Sequence, residues 1–366
     1  MAHLTIERVS CHAYALPLAR PLYFGDSALK ERQGMIICMI SADGYVGFGE
    51  VAPLPGMSQE DLKTARYQAD KLAAELKGMS VPLAREELLA WLKMRFDVKV
   101  YAPSVRFGFE SAVLLMAAAA QDMFLCDYLR EDSAVAVRVA GLLQGSVAEI
   151  AGQAGLLLAQ GYSTFKLKIG ARNIPLDVHK VEDVKKLLGP KAVLRLDAGR
   201  AWRFDEAILF AQNIGKNQIE YIEEPCNEPA RFEEFYRRTD MPVAVDESFD
   251  LRVMEDLSLL QGVQYFILRP TTTTGVTGFL DVMKAAGVLG AKVVVSSAFE
   301  SGIGLTALAN LAVLTGEPAG LGTAAWFEHD LLTRPVVTAK GLIPVDRLNI
   351  EAKFFDPAFV QNVHVM

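Results

Sequence analysis

Six charged residues share one kind of position, the end of a short apolar run. Lys166 and Lys168 fall in Lys-Leu-Lys-Ile-Gly, Asp197 in Leu-Arg-Leu-Asp-Ala-Gly and Glu223 in Tyr-Ile-Glu-Glu-Pro. Asp246 follows in Val-Ala-Val-Asp-Glu-Ser, and Arg269 in Phe-Ile-Leu-Arg-Pro. Three carboxylates brought to one place suit a hard divalent cation, because Mg²⁺ takes octahedral oxygen ligation and keeps positions open for water or substrate. Asp197, Glu223 and Asp246 are therefore the candidate metal ligands. Without a cation, three acids at an apolar mouth repel one another and resist desolvation. Lys166 and Lys168 alternate with Leu167, so both point to one side of their strand. A partly buried lysine near another cation gives up its proton more readily, which suits proton transfer near neutral pH. Lys168, nearer the strand end, is the expected acid/base, and Lys166 the neighbouring cation. A single charge at a strand end is usually a cap or a surface group, and Glu224 and Glu247 are assigned to that role or to ion pairs with the lysines. Burying the whole set without a function would cost several kcal/mol for each charge.

The elements that must position these residues are legible as a rhythm. From about residue 134, apolar runs alternate with helical segments. The runs are 135–143, 164–169, 193–197, 221–224, 243–246, 265–269, 292–297 and a weaker one at 320–324. Helices are predicted over 147–160, 177–188, 205–214, 278–289 and 305–314. Strands alternating with helices imply parallel pairing through right-handed crossovers, and eight such runs imply a closed barrel. All strand C-termini of such a barrel open onto one face, where charges far apart in sequence converge. Before this lies an α+β region, with strands at 4–18 and 35–51, a turn at Ala42-Asp43-Gly44, and helices starting at Ser58 and spanning 83–92 and 104–124. The expected architecture is an α/β fold: a (β/α) barrel over 131–340, an α+β capping domain over 1–130, and a segment 341–366 packing back on the cap. The cap segment 21–30 and the 54–58 turn are placed to shape specificity, so Tyr23 and Met57 are candidate substrate contacts or, equally, interface packing.

Composition narrows the class. The 366 residues carry a formal charge of −7 with no basic tail, which argues against a nucleic-acid partner. Cys11, Cys38, Cys126 and Cys226 are scattered without zinc or disulfide spacing, consistent with a reducing cytoplasm. No secretory signal and no run approaching ~18 apolar residues is present, so no membrane span is expected. No glycine-rich dinucleotide or phosphate loop follows an early strand. Nothing in the sequence decides between a monomer and a homo-oligomer.

Lys-x-Lys followed by Asp, Glu, Asp and then a cation on successive strands resembles the enolase superfamily, muconate-lactonising branch. Within it, Gly47-Phe-Gly-Glu-Val-Ala-Pro-Leu-Pro-Gly-Met-Ser58, Pro103-Ser-Val-Arg-Phe-Gly-Phe-Glu110 and Ser296-Ser-Ala-Phe-Glu-Ser-Gly-Ile-Gly-Leu305 resemble stretches of the o-succinylbenzoate synthase family. The resemblance implies Mg²⁺, with Mn²⁺ as a possible replacement, a small-molecule carboxylate substrate, and Ser296 as a substrate contact. It implies dehydration of 2-succinyl-6-hydroxy-2,4-cyclohexadiene-1-carboxylate to o-succinylbenzoate, a step of menaquinone synthesis. Two positions depart from the family: Arg269 stands where lysine is usual, and Gly199 where asparagine is usual. Arginine keeps its proton at ordinary pH, so a two-base isomerase such as an N-acylamino-acid racemase is disfavoured, while a one-base dehydration stays feasible. Gly322-Thr323-Ala324-Ala325 replaces the Asp-x-Asp with which dipeptide epimerases of the branch hold an ammonium. A non-catalytic carboxylate-binding barrel is the alternative from another class. Phe299 and Trp326 are expected to pack rather than to recognise substrate.

Overall fold

The computed structural model describes residues 2–24, 27–131, 133–171, 173–249, 261–345 and 348. The chain opens with β1 (His3–Phe24), β2 (Ser27–Ser41) and β3 (Val46–Val51), an antiparallel meander whose β2–β3 turn has Gly44 at φ 85°. α1 (Leu62–Leu76) begins four residues after the expected start at Ser58. The reason is local: Ser58 Oγ accepts the Leu54 amide and closes a turn, whereas the Asp61 carboxylate caps the helix by accepting from Thr64 N at 2.7 Å. β4 (Ser80–Pro82) pairs with the free edge of β1, and α2 (Arg85–Arg95) follows. α3 (Pro103–Ala119) stops before the expected 124, with Asp122 in the left-handed region ahead of the short α4 (Leu125–Leu129).

Almost every residue of α3 is buried, because it lies directly on the meander. The approach requires glycine: a Cβ at Gly47 would sit 1.9 Å from Ala112 O, and one at Gly49 1.8 Å from Gly108 O.

The run 135–143 is not one strand. It divides into β5 (Ala136–Arg138), which pairs antiparallel with a late segment, and β6 (Gly141–Leu143), which begins the barrel sheet. The barrel continues through α5 (Val147–Ala159), β7 (Thr164–Lys168), α6 (Ile174–Leu188), β8 (Val193–Asp197), α7 (Phe204–Ile214) and β9 (Ile219–Glu223). Then come α8 (Phe232–Thr239), β10 (Val243–Val245), β11 (Tyr265–Leu268), α9 (Gly275–Leu289), β12 (Lys292–Val295) and α10 (Gly302–Thr315). β13 (Leu342–Pro344) is the segment that pairs with β5, while residues 349–366 of the expected returning segment lie outside the described residues. α6, α9 and α10 each start three residues early, since Pro175, Gly275 and Gly302 conceal helix starts, two of them capped by Asn173 and Ser301.

β6 to β12 form a seven-stranded parallel sheet in sequence order. Of the weak eighth run, 320–324, Gly320 bridges to Ser296, and Ala319 just before it bridges to Val139, so that the two close the ring. Alternation along the strands sorts the side chains. Leu194, Leu196, Ile222, Val243, Val245, Phe266, Leu268, Val293 and Val295 join the main core beneath the helices. Tyr221, Ala244, Tyr265, Ile267 and Val294 form a separate cluster that fills the barrel. Residues two further along from members of this second set reach the open end: Glu223, Asp246, Arg269 and Ser296.

Two buried cap carboxylates fasten the cap to the barrel. Glu50 of β3 accepts from Ser301 N at 3.0 Å, Ser301 Oγ at 2.5 Å and Gly304 N at 2.8 Å, all at the start of α10. Glu110 of α3 accepts from Val276 N at 2.5 Å, Thr277 N at 2.9 Å and Thr277 Oγ1 at 2.8 Å, at the start of α9. Arg32 spans the same seam, donating to Ala52 and Pro53 carbonyls in the cap and to Ala298 and Phe299 carbonyls in the barrel. Among the described residues no helix is long and apolar enough to cross a membrane, and all four cysteines are free.

Candidate active site

Strand register brings the charges together. Lys168 pairs with Asp197, Asp197 with Glu223, and Glu223 with Ala244, two residues before Asp246. Lys166 Nζ lies 2.8 Å from Asp197 Oδ2, 2.8 Å from Glu223 Oε1 and 2.6 Å from Glu223 Oε2. Lys168 Nζ reaches the same Asp197 Oδ2 at 2.8 Å, and the Arg269 guanidinium holds Asp246 Oδ1. The three acids are buried, Lys166 and Arg269 are partly so, and the Lys168 side chain is half exposed. Lys166 is therefore locked between two carboxylates rather than standing as a bare cation beside Lys168.

The electrostatics are those of acids crowded in an apolar mouth. Burial and the charge of Asp197 push the Glu223 carboxyl well above the usual carboxylate range. Burial alone would raise Asp197 too, but the Lys166 and Lys168 ammoniums outweigh it and hold its carboxyl low. Asp246 follows the same logic, burial being overridden by Arg269. Burial would lower Lys166 and Arg269, yet the surrounding carboxylates hold both protons more tightly than usual.

Among the described residues no three acids, histidines or cysteines stand as a closed metal cluster; Lys166 bridges Asp197 and Glu223, and Arg269 holds Asp246. The donor chemistry nonetheless fits Mg²⁺. Asp197 Oδ1 and Glu223 Oε2 are buried without a hydrogen-bond partner, the latter despite its close, misaligned approach to Lys166. Two unsatisfied carboxylate oxygens from neighbouring strands are what a hard cation binds.

The remaining candidates are spread more widely. Ser296 follows β12, half-buried, bridged to Gly320 at the barrel closure. Tyr23 stands 70% exposed near the end of β1, paired with Ala28. Met57 is half-buried in the 54–58 turn. Among the described residues no hydrogen bond links either Tyr23 or Met57 to the charged cluster. Phe299 and Trp326 meet edge-to-face at 5.3 Å and pack against the cap cluster around Leu16 and Leu18, with the Arg20 guanidinium 3.6 Å over the Trp326 ring. Beyond the strand ends, Ser297 Oγ joins the Glu300 carboxylate at 2.5 Å and Thr323 Oγ1 at 2.8 Å. Sequence reasoning did not single out Glu50, Glu110 or Glu300; the available signal was a lone acid set in an otherwise apolar or glycine-rich stretch.

Gly199 has a geometric account. Its φ of 51° lies in the left-handed region, which glycine and asparagine tolerate best, and a Cβ there would sit 3.8 Å from both Asp197 Oδ1 and Lys168 Nζ. An asparagine side chain would thus point at the oxygen that here has no partner.

Architecture and charge arrangement together define a barrel enzyme of the enolase type. Residues 149–348 match the family described as "Enolase C-terminal domain-like", and residues 6–116 match "MenC, N-terminal domain". The o-succinylbenzoate synthase of Aliivibrio salmonicida is 30% identical over 314 residues, covering 84% of this chain and 86% of that protein. That of Vibrio cholerae is 30% identical over 342 residues, covering 91% and 92%. "Protein PHYLLO, chloroplastic" of Arabidopsis thaliana is 30% identical over 82% of this chain, which spans 20% of the plant protein. Similar solved structures include the L-Ala-D/L-Glu epimerase of Bacillus subtilis, at TM-score 0.81 and 21% identity over 93% and 96% of the two chains. A muconate lactonizing enzyme of Pseudomonas fluorescens gives 0.80 and 23% over 96% and 99%; at these identities the likeness is one of fold. The chain belongs to the o-succinylbenzoate synthase family of the enolase superfamily and is a carbon–oxygen lyase.

Proposed function

We propose that this chain dehydrates 2-succinyl-6-hydroxy-2,4-cyclohexadiene-1-carboxylate to o-succinylbenzoate, with Asp197, Glu223 and Asp246 holding Mg²⁺. The observation that carries the reading is one half-exposed lysine, Lys168, paired to Asp197 beside three buried acids, with the facing cation an arginine, held by Asp246, that cannot act as a base. When bound, the metal supplies positive charge to the substrate carboxylate. Lys168 in its neutral form takes the proton from the ring carbon that bears the carboxylate, breaking that C–H bond. The same ammonium then gives its proton to the departing hydroxyl as the ring C–O bond breaks. One water leaves and the ring becomes aromatic. Lys166 and Arg269 stay protonated throughout, held so by the neighbouring carboxylates, and offset the negative charge that develops between the two steps. A two-base racemisation would need Arg269 to surrender a proton that Asp246 helps it keep.

The test follows loss of the cyclohexadiene ultraviolet absorbance by purified protein with Mg²⁺, alongside Lys168→Ala and an EDTA control. Turnover abolished by both supports the proposal. Turnover surviving Lys168→Ala removes the assigned acid/base, and a protein inert toward this diene would favour a binding barrel. Racemisation of N-succinyl amino acids in its place would favour the isomerase.

A further inference from the structure

The residue after the second candidate ligand is unlike its surroundings. Glu224 is fully buried, adopts φ 48° without being glycine, and engages none of the catalytic lysines. A side chain in the left-handed region is strained and persists only where other contacts determine it. Those contacts tie its own strand end to those of both neighbours, β8 and β10. The Glu224 amide donates to Ala244 O at 2.9 Å, and its carbonyl accepts from Arg200 N at 2.9 Å, in the loop three residues beyond Asp197. Its carboxylate Oε1 accepts from Asp246 N at 2.8 Å and from Ser248 N at 2.7 Å. Oε2 accepts from Ser248 Oγ at 2.5 Å and lies 3.8 Å from Arg200 Nε.

Building on the proposed metal site, we infer that Glu224 is the positioning residue that sets the spacing of the three ligands. Asp197 and Glu223 are the last residues of β8 and β9 and pair with each other, whereas Asp246 lies one residue past the end of β10. Glu224 carries the connection beyond the paired residues: through its backbone to the exit of β8, by peptide bond to Glu223, and through its carboxylate to the amide of Asp246 itself. Fixing a ligand by its own backbone amide restricts where its carboxylate can swing. The carboxylate is engaged by N–H and O–H donors, with Arg200 the one ion-pair partner among the described residues, which suits a group chosen for acceptor geometry.

The experiment measures divalent binding directly, by titrating Mn²⁺ into wild type, Glu224→Ala and Glu224→Gln and reading free Mn²⁺ by electron paramagnetic resonance, with thermal melts run in parallel. Losing a partner that orients a ligand typically weakens metal binding about 10–100-fold. The expected result is a loss in that range for Glu224→Ala and recovery to within about 3-fold for Glu224→Gln, whose carbonyl can still accept both amides. A Glu224→Ala protein that melts lower but, while folded, binds Mn²⁺ like wild type would overturn the inference, since that is the behaviour of a purely structural residue. Wild type that binds no Mn²⁺ would overturn it together with the metal assignment. Wild type that binds Mn²⁺ tightly yet leaves the cyclohexadiene untouched would sink the proposed reaction alone, and the Glu224 comparison would still stand.

Discussion

Replacing Glu50 with alanine should weaken the joint between cap and barrel by an amount the geometry bounds. Glu50 is completely buried, and its carboxylate meets Ser301 N, Ser301 Oγ, Gly304 N and the Tyr14 hydroxyl. Hydroxyls can turn to other acceptors, so the unavoidable loss is the two amides of α10. Each stranded buried donor costs roughly 1–3 kcal/mol, and the lost charge at a helix N-terminus adds up to ~2 kcal/mol. A destabilisation of about 4 kcal/mol follows, a large part of the ~5–15 kcal/mol typical of folded proteins. Glu50→Gln keeps one acceptor and the side-chain volume, and should lose about half as much. Urea denaturation of the three proteins, monitored by both tryptophan fluorescence and circular dichroism, measures this. The exposed pair Lys216–Asp240 supplies a control whose removal should change nothing measurable. A shift below about 1 kcal/mol for Glu50→Ala would refute the claim that this carboxylate fastens the domains.

Gly49→Ala should be worse tolerated than its size suggests, because the new Cβ meets backbone atoms of Gly108 that cannot move aside; about 3 kcal/mol or more should be lost in the same denaturation assay. At position 199, alanine should cost ~1–2 kcal/mol for its left-handed backbone, while asparagine should match or exceed wild type by donating to Asp197 Oδ1, a ranking read from the midpoints. Burial pushes the Asp330 carboxyl up to about 6, against the pull of the Leu332 and Gly302 amides. A folded-state value above the unfolded ~3.9 means its stabilising contribution is complete below about pH 4 and is lost as pH rises through 6, roughly 3 kcal/mol in all. Asp330→Asn should flatten the stability profile across that window, and an unchanged slope would contradict the assignment.

The sequence made the barrel and its charged mouth legible because both rest on period: strand ends recur, and five successive ones carry an ionisable residue. Register did the rest, bringing Lys168, Asp197 and Glu223 level without any contact being specified in advance. What period cannot show is where a strand changes partner. Residues 135–143 read as one run, yet Ala136–Arg138 serves a hairpin-like pair with Leu342–Pro344 and only Gly141–Leu143 enters the ring. Helix starts hidden by Pro175, Gly275 and Gly302 were missed for a related reason, since caps rather than propensity define them. The long-range acids escaped because Glu50 and Glu300 are distant in sequence from the groups that satisfy them or lie in turns. Glu224 read as an ordinary cap, and its reach across three strands is a property of the fold.

The cap carboxylates have a consequence for molecular recognition. A helix N-terminus is a general receptor for anions, offering free amides and a partial positive charge to any carboxylate or phosphate that arrives. The barrel directs the starts of α9 and α10 to the same end as its charged mouth, and there Glu110 and Glu50 already occupy them. The chain thus supplies its own resident anions at two of the helix starts where a diffusing carboxylate could lodge unproductively. An incoming acid is left with the side-chain cations of the mouth, so internal competition at the helix ends works as a filter on where a ligand can settle.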